Sequence, residues 1–275
     1  MSDSQQADRV HTALTIAGSD SGGGAGIQAD LKAFAASGVH GLSAIVALTA
    51  QNTVGITSIH PIPAEMIIDQ VRAVASDMGV DAVKIGMLGS ETAIDAVVEA
   101  LSYLGEIPLV LDPVMVSESG AVLLEPGARR ALAERLLPLA TVVTPNLAEA
   151  QVLAGREGEE PADQVELAAA VRALGPSAVI VTGGHTSRGA DLLDDGSGAP
   201  FWIEGDLHPD GAAHGSGCTH SSTLAAQLAL GRGLREAATI ARAVAAGAVA
   251  AGLREIGAGP GPVDVLNIKS LRGRA

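Results

Sequence analysis

The strongest constraint on this chain is its alternation of short apolar runs with longer amphipathic stretches. Ala13–Ala17, Ser43–Thr49, Ala82–Gly86, Leu109–Asp112, Thr141–Thr144 and Ala178–Thr182 read as strands. Apolar residues recur with helical spacing near 25–37, 64–78, 92–104, 127–137, 146–154, 163–174, 218–230 and 234–253. Leu109-Val110-Leu111 carries no polar alternation, as expected of a strand covered on both faces. Strands that alternate with helices predict parallel βαβ units, hence an α/β fold with a mostly parallel sheet. In such sheets ligands bind beyond the carboxyl ends of the strands. Gly18-Ser19-Asp20, Gln51-Asn52, Gly86-Met87, Asp112, Pro145-Asn146 and Gly183-Gly184 follow the six runs and are expected along one rim.

Composition narrows the partners. With 275 residues, 47% of them apolar, the chain can build a large core. No linker or compositional break divides it, so one domain over 1–275 is expected, with residues 1–10 as a flexible polar start. The 31 acidic residues against 17 basic ones, and only one Trp, one Tyr and two Phe, argue against a nucleic-acid surface. The longest apolar run, Ala243–Leu253, lies between Arg242 and Arg254 and is too short to span a bilayer. The single cysteine, Cys218, forms no intramolecular disulfide, and a reducing, cytoplasmic setting is expected. The Gly- and Asp-rich stretch Thr186–Ala199 reads as a surface excursion.

Several motifs could carry chemistry. In His214-Gly215-Ser216-Gly217-Cys218 a glycine turn feeds a helix, which leaves backbone N–H groups aimed at one place and suited to an anion. The same residues also fit a plain strand-to-helix turn with an inert thiol. The loop Gly18–Gly26 is glycine-rich but is neither a dinucleotide fingerprint, because Ile27 takes the last glycine position, nor a Walker A loop. Its backbone can approach a small ligand closely. Asp30, one turn into the next helix, either reaches a ligand or favours the helix dipole. Gln51 offers an amide that can donate to and accept from a heterocycle edge. Asn146 and Glu149 share a helix face at i, i+3, which suits either Mg²⁺ or a helix-capping box, and Asp112 ends a neighbouring strand. No His-x-x-x-His pair supports a zinc site.

The segments Ala13–Asp20, Gly23–Lys32, Ala50–Thr53, Lys84–Leu88, Leu111–Met115, Thr144–Ala150 and His214–Cys218 together resemble the ribokinase-like superfamily. Within it they resemble the hydroxymethylpyrimidine/phosphomethylpyrimidine kinases of thiamine biosynthesis, over nearly the whole chain. The resemblance implies a three-layer αβα sandwich, a homodimer, and a kinase using ATP and Mg²⁺. Such an enzyme phosphorylates a hydroxymethylpyrimidine and then its monophosphate. By the same resemblance Gln51 reads the pyrimidine edge, while Gly18, Asp30, Met87 and Val114 line its pocket. Asp112 and Glu149 act around Mg²⁺, with Asn146, Thr182 and Gly184 by the nucleotide. The amides of Gly215, Ser216, Gly217 and Cys218 cradle the transferring phosphoryl group, with the Cys218 thiol as a candidate base. The chain departs from the family pattern at Thr182, where a Lys is common, and at Ser21-Gly22, where Pro-Ser is common. Cys218 stands where many superfamily relatives carry an Asp. A pyridoxal kinase of the same fold is the nearest rival; an oxidoreductase fails on the glycine spacing. The retained polar rim argues against a non-catalytic binder.

Overall fold

The computed structural model describes residues 9–271 except 118–119, 159, 161, 185–187 and 210. Most of the expected flexible start, residues 1–10, therefore lies outside the described residues. One nine-stranded sheet runs in the order β3-β2-β1-β4-β5-β6-β7-β8-β9. Its strands are β1 (Thr12–Asp20), β2 (His40–Gln51), β3 (Ile56–Pro61), β4 (Ala82–Ile85), β5 (Leu109–Leu111), β6 (Val142–Val143), β7 (Ala178–Val181), β8 (Asp191–Asp194) and β9 (Phe201–Ile203). The six-strand centre from β2 to β7 is parallel throughout. β3, β8 and β9 add antiparallel edges.

The helices are α1 (Gly26–Ala36), α2 (Ala64–Asp77), α3 (Glu91–Leu101), α4 (Pro126–Ala131), α5 (Leu147–Leu153), α6 (Gln164–Arg172), α7 (Ser216–Ala229), α8 (Leu234–Ala250) and the short α9 (Ile268–Leu271). They form a layer on each face of the sheet. Leu14 and Ile16 of β1, and Leu109 and Leu111 of β5, pack with α2, α3, α4 and α6. Their alternates Ala13 and Val110 pack with Phe34 of α1 and with Leu224 and Ala238 of α7 and α8. Two covered faces are why these strands are apolar without interruption.

Three expectations change. β1 runs on through Gly18-Ser19-Asp20, which the sequence reading put in a loop, because these residues stay paired with β2 across a register shift. The 186–199 stretch is a surface excursion only in part: Asp191, Leu192 and Leu193 are buried and β8 pairs with both β7 and β9, while 196–199 form an exposed turn. Residues 186–187 of that stretch lie outside the described set. The expected 127–137 helix is a short α4 that continues as a π turn (Leu132–Leu136) and a 3-10 turn.

The strand order reverses at β1, which has β2 on one side and β4 on the other. The segments after β1 and β4 therefore diverge and leave a crevice at the carboxyl edge. Gly18 and Met87 face each other there: a Cβ on Gly18 would stand 2.4 Å from the Met87 Cε.

Candidate active site

One cavity of about 450 Å³ opens over this edge. It is lined by Gly18, Gln51, Met87, Asp112, Val114, Asn146, Glu149, Thr182, Gly184 and the Gly215–Cys218 turn. Thus thirteen of the fourteen residues to which the resemblance gives a role line one cavity. Asp30 is the exception. It is fully buried behind the floor, where its carboxylate accepts from Lys84 Nζ at 2.9 and 3.0 Å, from Thr15 Oγ1 at 2.6 Å and from Ser222 Oγ at 2.7 Å. With its lone pairs taken by protein donors, Asp30 is a structural counterion and does not line a ligand pocket.

The Gly215 turn is built by close backbone approach. Gly215 caps α7 at φ +85°, in the left-handed region open to glycine. A Cβ there would lie 1.8 Å from the Gly24 carbonyl oxygen. Thr219 N–H already bonds the Gly215 carbonyl, so the amides that precede it on the first turn have no i−4 partner within α7. Their partial positive charge, added to the helix dipole, makes the start of α7 suited to an anion. Ser216 N–H is an exception, since it bonds the Ala213 carbonyl.

Two carboxylates tie this turn to the glycine loop and the sheet. Asp20 accepts from the N–H groups of Gly22 (2.7 Å), Gly24 (3.0 Å) and Ala25 (2.9 Å), and stands 3.2 Å from His214 Nε2. Burial pushes its pKa up, but His214 and these amides more than offset that and hold the carboxyl below its usual range. Asp112 accepts from Ser221 Oγ of α7 at 2.9 Å. Ser221 and Ser222 thus pin one turn of α7 to Asp112 and Asp30.

The acidic side of the cavity is Asp112 and Glu149, both more than nine-tenths buried. Asn146 and Glu149 do form the capping box that the sequence left as one of two readings: Asn146 Oδ1 accepts from Glu149 N–H, and Glu149 Oε2 from Asn146 N–H. The box does not use up the carboxylate, because Glu149 also faces the cavity beside Asp112. Burial, then the Asp112 charge, push Glu149 up to about 8. Burial likewise raises Asp112, although Lys84 and Ser221 pull it down. Two crowded hard-oxygen donors short of positive charge fit Mg²⁺, which takes one or two carboxylates and completes its shell with phosphate and water. Among the described residues no group of three or more His, Cys, Asp or Glu could hold a metal by itself.

Cys218 meets an obstacle as a base. Burial pushes its thiol up to about 12; Lys84 pulls down, while Asp30 and Asp112 push further up. A thiol of that pKa keeps its proton at neutral pH and has no site on sulfur for another. At the end of β2, Thr49 Oγ1 donates to the Gln51 side-chain oxygen at 3.1 Å and orients that amide.

The sequence suggests no role for Lys84, Asp191 or Arg242, and His220, which flanks Cys218 with His214, reads equally as structural; all four line the cavity. Lys84 is fully buried, and a lysine inside an apolar strand was its signal. Burial alone lowers its pKa, but the Asp30 charge outweighs this and keeps the ammonium. Arg242 lies i−3, i−4 and i−7 from Ala245, Ala246 and Val249, also cavity residues; its signal was a cation on the apolar face of a helix.

The profile of the phosphomethylpyrimidine kinase family matches residues 20–264. A hydroxymethylpyrimidine/phosphomethylpyrimidine kinase of Rhizobium meliloti is 49% identical over 256 residues, covering 91% of this chain and 95% of that protein. Among solved structures, the phosphomethylpyrimidine kinase of Clostridium difficile superposes with a TM-score of 0.74 at 39% identity, over 85% of this chain and 96% of that one. The pyridoxal kinase of Staphylococcus aureus, in complex with AMP-PCP and pyridoxal, superposes with a TM-score of 0.84 at 35% identity, over 94% of each chain.

Proposed function

The chain belongs to the phosphomethylpyrimidine kinase family and is a phosphotransferase, and from that premise we propose the following reaction. It transfers the terminal phosphoryl group of ATP to the hydroxymethyl group of 4-amino-5-hydroxymethyl-2-methylpyrimidine, and then phosphorylates that monophosphate. The observation that carries the reading is the shared cavity: the Gly215–Cys218 turn, the Asp112–Glu149 pair and Gln51 face one space.

Phosphoryl transfer needs positioning and charge stabilisation more than covalent help. The backbone of Gly215, Gly217 and Cys218 supplies N–H dipoles for the charge that develops on the transferring group, while Ser216 N–H is held by the Ala213 carbonyl. The helix they begin cannot drift, because Ser221 and Ser222 hold it to Asp112 and Asp30. Gln51, oriented by Thr49, pairs with the polar edge of the pyrimidine. Gly18, Met87 and Val114 line the pocket that takes the ring. Thr182 and Gly184 approach the nucleotide from the end of β7, with Asn146 beside them. Mg²⁺ held by Asp112 and Glu149 would screen the phosphate charge. The sulfur of Cys218 takes no proton in this arrangement, so its contribution is the backbone amide. We assign a single kinase domain across residues 1–275, a homodimer and a cytoplasmic setting on the family resemblance. Among the described residues no helix is long and apolar enough to cross a membrane.

A pyridoxal kinase reading has one observation in its favour, the close superposition on the Staphylococcus aureus enzyme. Incubation of the protein with the hydroxymethylpyrimidine, or with pyridoxal, and Mg-ATP separates the two by product mass. The mono- and diphosphorylated pyrimidine are expected. Monophosphate alone would remove the second step, and phosphate on pyridoxal without pyrimidine product would replace the substrate.

A further inference from the structure

A cavity that binds a nucleoside triphosphate must neutralise several negative charges, and this cavity is short of the means. Among the described residues that line it are five carboxylates, those of Asp20, Asp112, Glu149, Asp191 and Asp206, against two permanent cations, Lys84 and Arg242. Lys84 is spent on Asp30 behind the floor, with Nζ bonded to both carboxylate oxygens. Thr182, at the end of β7, brings no charge. The remaining cation is Arg242.

Arg242 is held rather than loose. Its residue is only 8% exposed although it lines the cavity. One terminal nitrogen donates to the Gly189 carbonyl. Gly205 makes room for the stem, since a Cβ there would lie 2.7 Å from Arg242 Nε. Nε itself is buried without a hydrogen-bond partner, and its nearest carboxylate oxygen, Asp191 Oδ1, is 3.9 Å away. That oxygen is already bonded to Gly183 N–H at 2.8 Å, and Oδ2 stands 3.2 Å from His220 Nε2. Asp191 is therefore shared among the loop after β7, α7 and α8, and only part of its charge is available to the guanidinium. A buried guanidinium with an unused donor and only part of a counterion costs free energy, and a phosphate on the cavity side would supply the counter-charge that Asp191 only partly gives.

We infer that Arg242 is the side chain that receives the phosphates of the nucleotide in this cavity, a role that rests on the kinase reading. A planar guanidinium forks onto phosphate oxygens through two parallel N–H bonds. Placed on α8, it lines the same cavity as Asp112, which follows β5, and Glu149 of α5. The cavity thereby offers a fixed cation for the polyphosphate besides the acidic pair that would hold Mg²⁺. The rest of that α8 face, Ala245, Ala246 and Val249, is apolar and gives the phosphates no alternative partner.

The test is a ligand series, with adenosine, AMP, ADP and a non-hydrolysable ATP analogue titrated calorimetrically in Mg²⁺ into wild type, Arg242→Met and Arg242→Lys. Thermal melts run alongside to certify folding. For Arg242→Met, adenosine affinity stays within about twofold, while the loss grows along the series to about 10–100-fold at the triphosphate, as expected for a charged hydrogen bond. Arg242→Lys keeps the charge but not the fork, and recovers part of the loss. Equal losses for adenosine and triphosphate, or an unchanged triphosphate affinity, overturn the inference. If Arg242→Met does not fold, the lysine variant decides alone: its triphosphate affinity must fall severalfold more than its adenosine affinity. Wild type that binds no ATP analogue would instead sink the kinase reading itself.

Discussion

Replacing Gly215 by alanine probes whether the turn at the head of α7 works through its geometry. The substitution leaves every N–H in place and adds one methyl group. That methyl would sit 1.8 Å from the Gly24 carbonyl oxygen, whereas ordinary contact begins at 3.4 Å, so the two loops must part by about 1.6 Å. The neighbour is backbone and cannot swing aside like a side-chain tip. An L-residue at φ +85° adds about 1–2 kcal/mol of left-handed strain, and overpacking adds about 1–3 kcal/mol. A stability loss of about 2–5 kcal/mol in urea denaturation is expected. Displacement by more than about 1 Å in a positioning element costs on the order of 10²-fold in rate, and one lost oxyanion donor costs a similar amount. At saturating pyrimidine and Mg-ATP, kcat from ADP release should therefore fall by at least about 10²-fold. Gly217→Ala is the stability control. It is helical with open space around its Cβ, and should be neutral or gain about 0.5–1 kcal/mol. A folded Gly215→Ala enzyme whose kcat stays within about threefold of wild type would refute the reasoning, since a factor of 10² is what the geometry demands.

Other outcomes follow from the same site. Cys218→Ala should keep kcat within about tenfold across pH 6–9, because a thiol pushed up to about 12 carries no base function; a loss of about 10²–10⁴-fold would restore that role. Glu149 has a folded pKa of about 8, well above its unfolded value, so the folded state holds the extra proton between the two. Stability without Mg²⁺ should thus fall as pH rises from about 4.3 to about 8 and stay lowered above it, while Glu149→Gln flattens that slope in EDTA melts. An unchanged slope in the variant would assign it to other groups. Asp30→Asn leaves the Lys84 ammonium buried without its counterion and should cost about 3–5 kcal/mol in urea denaturation. A loss below about 1 kcal/mol would mean that Lys84 sheds its charge there instead. Gln51→Ala should raise KM for the pyrimidine without changing KM for ATP; parallel rises would move Gln51 away from the ring.

What the chain declares by itself is whatever lives within a few residues. The apolar runs of β5 and β7 mark strands covered on both faces, because burial of both sides leaves no room for a polar alternate. The Asn146–Glu149 capping box is a spacing of three, and the glycine turn before α7 needs only a sharp reversal and a helix start. Strand ends could be placed on one rim because parallel βαβ units all exit in the same direction. The sequence alone could not say which distant groups would meet. Asp30 looked like a ligand contact until β4 brought Lys84 against it from 54 residues away and α7 brought Ser222 from 192. Asp191 lay in a stretch that reads as a surface loop until β8 found β7 and β9 on either side. A carboxylate in a dry interior takes whatever donor the fold delivers, and the thiol of Cys218 takes its high pKa from that same burial. The glycine turn at the head of α7 is therefore local, while the charge around it is tertiary: field and desolvation depend on distance through space, which periodicity along the chain does not encode.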